Sequence, residues 1–403
     1  MSAERPIKLA VIAGEESGDL LGADLVEAIK RETGRPVELV GVGGRNLQAL
    51  GLRSIFDGDE IAIMGISAVL RDLPRLMRRI GQVAQAIAAE KPDCLVTIDS
   101  PDFGLRVARK VRAVAPAIPI IHYVCPSVWA WRPGRAAAMK PHVDHVLCLL
   151  PFEPAELDRL GGPPGTFVGH RLASDPQIKA AAEAQLAKDG KERGARKKLL
   201  LLPGSRKGEV RRLIGPFGAT VVALKAAGHD FDLMIPTVPH VAGLVEEGVR
   251  DWPVQPEVIL GHEAKWSAFA EADAALACSG TVALELALAR VPFVSVYKTD
   301  ALGALVGPFL VKVWSASLPN LIAGWPVVPE YFNEFVRPEH LARLLPRLWS
   351  DTPTRRAQRE GFAAVAEALA APRPSGEIAA EVVLRQMERQ RKANMQRPTS
   401  PAP

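Results

Sequence analysis

The sequence predicts an α/β protein built from two successive doubly wound halves, each a parallel sheet covered by helices. Two observations carry this. Apolar, strand-like runs alternate with longer helix-like stretches along nearly the whole chain. In addition, Lys198–Val210, KLLLLPGSRKGEV, restarts near the middle what Ile7–Asp19, IKLAVIAGEESGD, begins at the front: an apolar run, a small-residue turn, then a helix. At 403 residues the chain has room for two domains of about 150 to 200 residues each.

In the first half the predicted strands are Leu9–Ala13, Val37–Val42, Cys94–Ile98, Ile118–Val124 and Val146–Leu150. In the second they are Leu199–Leu202, Phe231–Ile235, Val258–Leu260, Ala274–Cys278 and Val291–Val296. The turn-rich GGPPG at Gly161–Gly165 breaks the pattern, and the charged stretch from Lys179 to Lys198 reads as the crossing into the second unit. The resulting division is 1–172 for the first domain, 173–353 for the second, 354–391 for a helical segment returning to the first, and 392–403 for a disordered tail. Ligand loops belong at the strand C-termini, which predicts an active site between the two halves.

A composition of 48% hydrophobic and 24% charged residues excludes a largely disordered chain. The formal charge of +5 fits an anionic partner, a nucleotide, a phospholipid surface or nucleic acid, without choosing among them. Cys94, Cys125, Cys148 and Cys278 are scattered through apolar runs without CxxC spacing, which predicts buried free thiols in a reducing cytoplasm. The N-terminal apolar run ends in two glutamates, unlike a signal peptide, and no stretch approaches the roughly 18 apolar residues of a membrane span. Any contact with a membrane is expected from the side.

Several short stretches carry chemistry. In PGSR, Gly204 and Ser205 make a tight turn, Ser205 is the expected N-cap, and Arg206 stands beside a helix start, where anions are stabilised. In ACSGTVALE, Ser279, Gly280 and Thr281 open another helix with free amides suited to a pyrophosphate, and Glu285 lies one turn later on the same face, within reach of a sugar hydroxyl. In TIDSPDF, Ser100 precedes a proline and is expected to be extended, presenting Asp99 at the strand tip as a candidate general base or as a carboxylate that only orients the loop, while Asp102 caps the helix. The stretch IHYVCPSVWAWRPGR concentrates His122, Trp129, Trp131, Arg132 and Arg135 in a chain that is only 5% aromatic, as a sugar- and phosphate-binding segment or a packing loop would. His142, His145 and Cys148 share a spacing of three but would not converge in a strand, so no metal site is expected. In Gly65–Ile80 the residues Ile66, Val69, Leu70, Leu73, Leu76 and Met77 form an apolar stripe flanked by arginines, which suits either an anionic membrane surface or a helix packed on the sheet.

Taken in order, AGEESGD at Ala13–Asp19, IDSPDF at Ile98–Phe103, HYVCPSVWAW at His122–Trp131, LLPGSR at Leu201–Arg206, CSGTVALE at Cys278–Glu285 and SLPNLIAG at Ser317–Gly324 closely resemble the lipid-A-disaccharide synthase family. The likeness extends up to about the final helix. Cys125 departs from the family pattern, where serine is expected, and Glu16 stands where other members carry a different residue.

The resemblance implies a GT-B glycosyltransferase, inverting, metal-independent and without a cofactor. It would transfer 2,3-diacylglucosamine from UDP to 2,3-diacylglucosamine 1-phosphate, giving a β(1→6) disaccharide and UDP; another GT-B UDP-sugar enzyme, such as an epimerase, is the nearest alternative. It further implies Asp99 and Arg206 as essential residues and Asn320 on the nucleotide side. Gly14, Ser17 and Gly18, with His122, Trp129 and Arg132, would shape the acceptor side. The expected setting is the cytosolic face of the inner membrane, with no nucleic-acid partner and a possible homodimer that exchanges its C-terminal segments.

Overall fold

The computed structural model describes residues 5–56, 73–188, 196–300 and 312–396. The chain forms two compact units, Met1–His170 with Ala371–Pro403, and Arg171–Ala370.

The first unit is a parallel sheet of β1 (Ile7–Ala13), β2 (Val37–Val42), β3 (Arg53–Ser54), β4 (Cys94–Ile98), β5 (Ile120–Tyr123), β6 (His145–Cys148) and β7 (Gly165–Phe167), in the order β3-β2-β1-β4-β5-β6-β7. All five residues of β4 are buried, as a central strand covered on both faces requires. The order reverses between β1 and β4, where Ala13 pairs with Ile98, so the loops after these two strands diverge and leave a crevice between them.

Helix Glu16–Thr33 covers one face, and the last helix, Ser375–Gln396, packs on it: Ala379, Ala380 and Val383 share one fully buried cluster with Leu25 and Ile29. Helix Leu73–Glu90 covers the other face, putting Leu76, Ile80, Val83 and Ile87 into a core with Phe103 and Val107. Leu76 is therefore a core residue, correcting its assignment to a membrane-facing stripe, whereas Met77 is exposed. Ile66, Val69 and Leu70 lie outside the described residues, and Leu73 is placed by its backbone alone.

The second unit is a parallel sheet of β8 (Lys197–Leu202), β9 (Phe231–Thr237), β10 (Glu257–Leu260), β11 (Ala274–Cys278), β12 (Phe293–Tyr297) and β13 (Glu330–Phe332), in the order β10-β9-β8-β11-β12-β13. Its reversal falls between β8 and β11, where Leu202 pairs with Ala277, so the PGSR and CSGT turns leave adjacent strand ends. Helix Pro353–Ala368 belongs to this unit and stacks Phe362 on Phe293, rings 5.8 Å apart. The crossings thus fall after His170 and after Ala370, and the division read at 353/354 lies ahead of the second one. Beyond the ten predicted strands, the short β3, β7 and β13 extend the sheets.

Candidate active site

In the second unit the two turns at the reversal point enclose a cavity of about 360 Å³ whose walls include Arg206, Glu209, Lys265, Gly280, Thr281 and Glu285. Gly204 takes φ 113°, and a Cβ there would lie 2.5 Å from the Glu209 side chain. Glu209 folds back onto the turn: its carboxylate accepts from the Ser205 amide at 3.1 Å, the Arg206 amide at 3.2 Å and the Arg206 guanidinium at 3.2 Å. Arg206, not Ser205, is therefore the N-cap of helix Lys207–Ala226. The Ser205 and Arg206 amides at this helix start are thus already bound to a carboxylate of the chain. The Arg206 side chain is 84% exposed and able to swing.

The neighbouring turn offers the open donors. Gly280, at φ 154°, lets the chain enter helix Thr281–Leu288 so that, among the described residues, the amides of Gly280, Thr281 and Val282 have no acceptor. Ser279 donates its hydroxyl to the Ala316 carbonyl at 3.2 Å. Glu285 lies one turn into the helix, at the cavity wall, in a 2.7 Å ion pair with Lys265.

Asn320 does not line this cavity. It is buried, its oxygen accepting from the Val327 and Val328 amides at 2.9 and 2.7 Å and its amide donating to the Val328 carbonyl and Glu330. All of its hydrogen-bonding capacity goes to shaping the turn into β13, which corrects the nucleotide-side assignment.

In the first unit Asp99 and Ser100 follow β4 with φ of 50° and 39°. Two successive left-handed residues, the second before a proline that disfavours this region, are a local strain of the kind concentrated at functional sites. The expectation of an extended Ser100 is thereby corrected. Ser100 is the helix N-cap, without a side-chain bond, and Asp102 lies in the first turn. Asp99 accepts from the Ser100 amide at 2.9 Å and, among the described residues, has no ion-pair partner. Burial raises its pKa above the usual carboxylate value, opposed in part by that amide.

The aromatic segment resolves mostly into architecture. His122 is fully buried on β5, its Nδ1 2.7 Å from the Thr97 hydroxyl, and burial pushes its pKa down to about 3, so it is a neutral core residue out of reach of an acceptor. Trp129 is anchored inward, donating its indole N–H to Glu153 at 3.1 Å and meeting Phe152 edge-on, which corrects its reading as a sugar platform. Glu153, buried and pushed up to about 7, also accepts from the Leu149 and Leu150 amides. Arg132 is exposed and stacks on Trp131 at 4.2 Å, while Asp102 pairs with Arg135 at 2.7 Å.

His145 is hydrogen-bonded to Thr166, away from Cys148, whose thiol faces Cys125 and Glu153; the ligand atoms of these last three lie within 4.8 Å of one another. The four cysteines are free and buried.

Gly14 lines a separate cavity of about 890 Å³ at the ends of β1, β2 and β3. Ser17 is exposed on the first helical turn, and Gly18 faces Ile98, allowing close helix–strand packing. Asp19 is buried and accepts from the Gly44, Asn46 and Leu47 amides, so it organises the next loop. Sequence reasoning passed over Arg45 and Arg53 in this cavity, and Glu209 and Lys265 in the other. Only Glu209 had a local signal, the N-cap-to-N3 spacing from Arg206.

The profile of the lipid-A-disaccharide synthetase family matches residues 9–373. A lipid-A-disaccharide synthase of Rhodopseudomonas palustris (strain HaA2) is 49% identical over 379 residues, covering 94% of this chain and 95% of its own length. That of Rhodospirillum centenum is 41% identical, covering 94% of each. Among solved structures, Staphylococcus aureus MnaA with UDP aligns with a TM-score of 0.56 at 14% identity, covering 98% of this chain and all of that one. MurG of Acinetobacter baumannii aligns with a TM-score of 0.56 at 13% identity, covering 94% of this chain and all of that one. At such identities the structural likeness extends to the fold, two parallel-sheet α/β units of the GT-B kind.

Proposed function

The chain belongs to the lipid-A-disaccharide synthase family, and on that footing we propose that it transfers 2,3-diacylglucosamine from UDP to the 6-hydroxyl of 2,3-diacylglucosamine 1-phosphate, releasing UDP and a β(1→6) disaccharide 1-phosphate. The observation that carries the donor assignment is the cavity holding three open amides beside Glu285. A helix start with unsatisfied N–H groups takes a diphosphate, and a carboxylate one turn further along takes a ribose hydroxyl.

Each unit supplies one half of the chemistry. Asp99 accepts the proton of the attacking hydroxyl as the new bond forms at the anomeric carbon, on the face opposite the departing UDP, which inverts that centre. The growing charge on the diphosphate is balanced by the amides at Thr281 and by Arg206, which exchanges its contact with Glu209 for the phosphate. Gly14 and the 890 Å³ cavity belong to the acceptor side, with Arg45 and Arg53 available to its phosphate. These groups provide the charge balance a divalent metal would otherwise supply.

Both substrates carry acyl chains, so the enzyme works at the cytosolic face of the inner membrane. Among the described residues no helix is long and apolar enough to cross a membrane, and attachment is peripheral, through the stretch containing Ile66, Val69 and Leu70 and the exposed Met77.

Incubating the protein with the UDP-activated donor and the monosaccharide 1-phosphate should release UDP and disaccharide in equal amounts, with EDTA leaving the rate unchanged. Interconversion of the UDP-sugar without the acceptor would identify an epimerase instead.

A further inference from the structure

Two ion pairs flank the donor cavity, Arg206–Glu209 at 3.2 Å and Lys265–Glu285 at 2.7 Å, and they differ in mobility. Arg206 projects into solvent. The Lys265 ammonium is 28% exposed at the side-chain level and sits over the Trp266 ring at 4.5 Å and the Phe269 ring at 5.7 Å. Its ammonium is held by two aromatic faces and a carboxylate together, whereas the Arg206 head has a single carboxylate contact and projects into solvent. Glu285, 15% exposed, shares the cavity with the open amides of Gly280, Thr281 and Val282.

A bare carboxylate one helical turn from a diphosphate seat would repel the anion it is meant to accompany. At separations of about 6 Å and an effective dielectric constant of about 20, such a repulsion is worth a factor of about 100 in affinity for each unit of ligand charge, and screening by solvent and salt brings it toward about 10. The cavity therefore needs a fixed cation on the Glu285 side.

We propose that Lys265 is a positioning residue of the nucleotide cavity: it holds the Glu285 carboxylate in the orientation that meets the ribose and cancels its charge, so that a nucleoside diphosphate can occupy the same space. This rests on the reading of the cavity as a nucleotide site. Lys265 acts through Glu285, so the loss on removing it grows with the charge of the ligand and is reversed when Glu285 is neutralised as well.

The test is calorimetric titration of the full-length protein with uridine, UMP and UDP. Lys265→Met keeps an unbranched apolar side chain and removes the charge. It should weaken UDP roughly 10- to 100-fold and uridine less than about 3-fold, with UMP between them. Lys265→Arg should stay within about 3-fold of the parent for UDP. Adding Glu285→Gln to Lys265→Met should recover most of the lost UDP affinity, bringing it back toward that of the parent.

Equal losses for uridine and UDP would overturn the proposal, as would a double variant no better than Lys265→Met, which would mean that the lysine meets the phosphates directly. Unchanged UDP binding in Lys265→Met sinks the role of Lys265 alone. Failure of the parent protein to bind UDP sinks the nucleotide reading, and the proposal with it. Thermal melts of these variants separate a binding loss from a folding loss, since the Glu285→Gln rescue does not occur in an unfolded chain.

Discussion

Asp99 combines two costly features: a left-handed backbone and a desolvated carboxylate without an ion-pair partner among the described residues. Both destabilise the folded state, and both suit a base that must hold one orientation and take up a proton. Asp99→Asn should lower kcat by roughly 10²- to 10⁴-fold with little change in KM for either substrate, measured by UDP release. The same substitution should raise Tm. A carboxylate whose folded pKa is raised stabilises the fold only while protonated, and that contribution is lost as pH rises through the raised value; the amide removes the charge at neutral pH. The acid limb of kcat/KM should lie above the ordinary aspartate value, because the base must be ionised to act. An Asn variant with full turnover would remove Asp99 from the mechanism. Asp99 was legible from its place at the tip of an apolar run before Ser-Pro, but the conformation of Ser100 was not, since the pre-proline preference pointed the other way. Glu209, Lys265 and the saturated Asn320 show the same limit: what a polar side chain faces depends on neighbours 3, 20 and 7 to 10 residues away along the chain.

At the scale of elements, the central predicted strands were legible because they are apolar runs buried between helix layers, and a fully buried strand has no solvent face to interrupt the run, while β10, an edge strand with exposed ends, was legible from its short apolar run alone. The missed strands β3, β7 and β13 are two or three residues long and sit at or near sheet edges, where pairing needs backbone alone and leaves no side-chain pattern. Helix Leu73–Glu90 shows why periodicity could not separate core from membrane: both demand one apolar stripe, and only the packing of Leu76, Ile80, Val83 and Ile87 on Phe103 and Val107 distinguishes them. Leu76→Ser should accordingly cost about 2 to 4 kcal/mol in urea unfolding, from the cavity and the buried hydroxyl together. The pair Val69→Ser and Leu70→Ser should leave that stability unchanged and weaken sedimentation with anionic phospholipid vesicles. If the pair instead lowered stability as Leu76→Ser does, the peripheral-attachment proposal would lose its surface.

At the scale of the molecule, the chain leaves its first unit after His170 and returns to it at Ala371, so the first core is completed by a helix that follows the whole second unit in sequence. Ala379, Ala380 and Val383 are fully buried against Leu25 and Ile29, and the alanines let the two helices approach closely. A chain ending at Ala370 should therefore keep a cooperative calorimetric transition for Arg171–Ala370, and UDP binding with it, while losing the transition of the first unit. Acid should discriminate between the transitions in the same way. Burial lowers the pKa of His122 and His170, to about 3 and about 4, and also that of His142 and His145, and all four lie in the first unit. A histidine depressed on folding stabilises the native state above its unfolded value of 6.5, and this is lost as pH falls, because only the unfolded chain takes the proton. Glu153, raised to about 7, works in the opposite sense down to about 4.5, where the unfolded carboxylate also protonates. Against His122 and His170 it leaves a net uptake of about one proton on unfolding, roughly 1.4 kcal/mol per pH unit, which the raised Asp99 reduces and the lowered His142 and His145 increase. Between pH 6.5 and 4.5 the transition assigned by the truncation to the first unit should thus move steadily down in temperature, and more slowly in a His170→Asn variant. A transition that held its temperature across this window would show that these histidines take up their protons without unfolding.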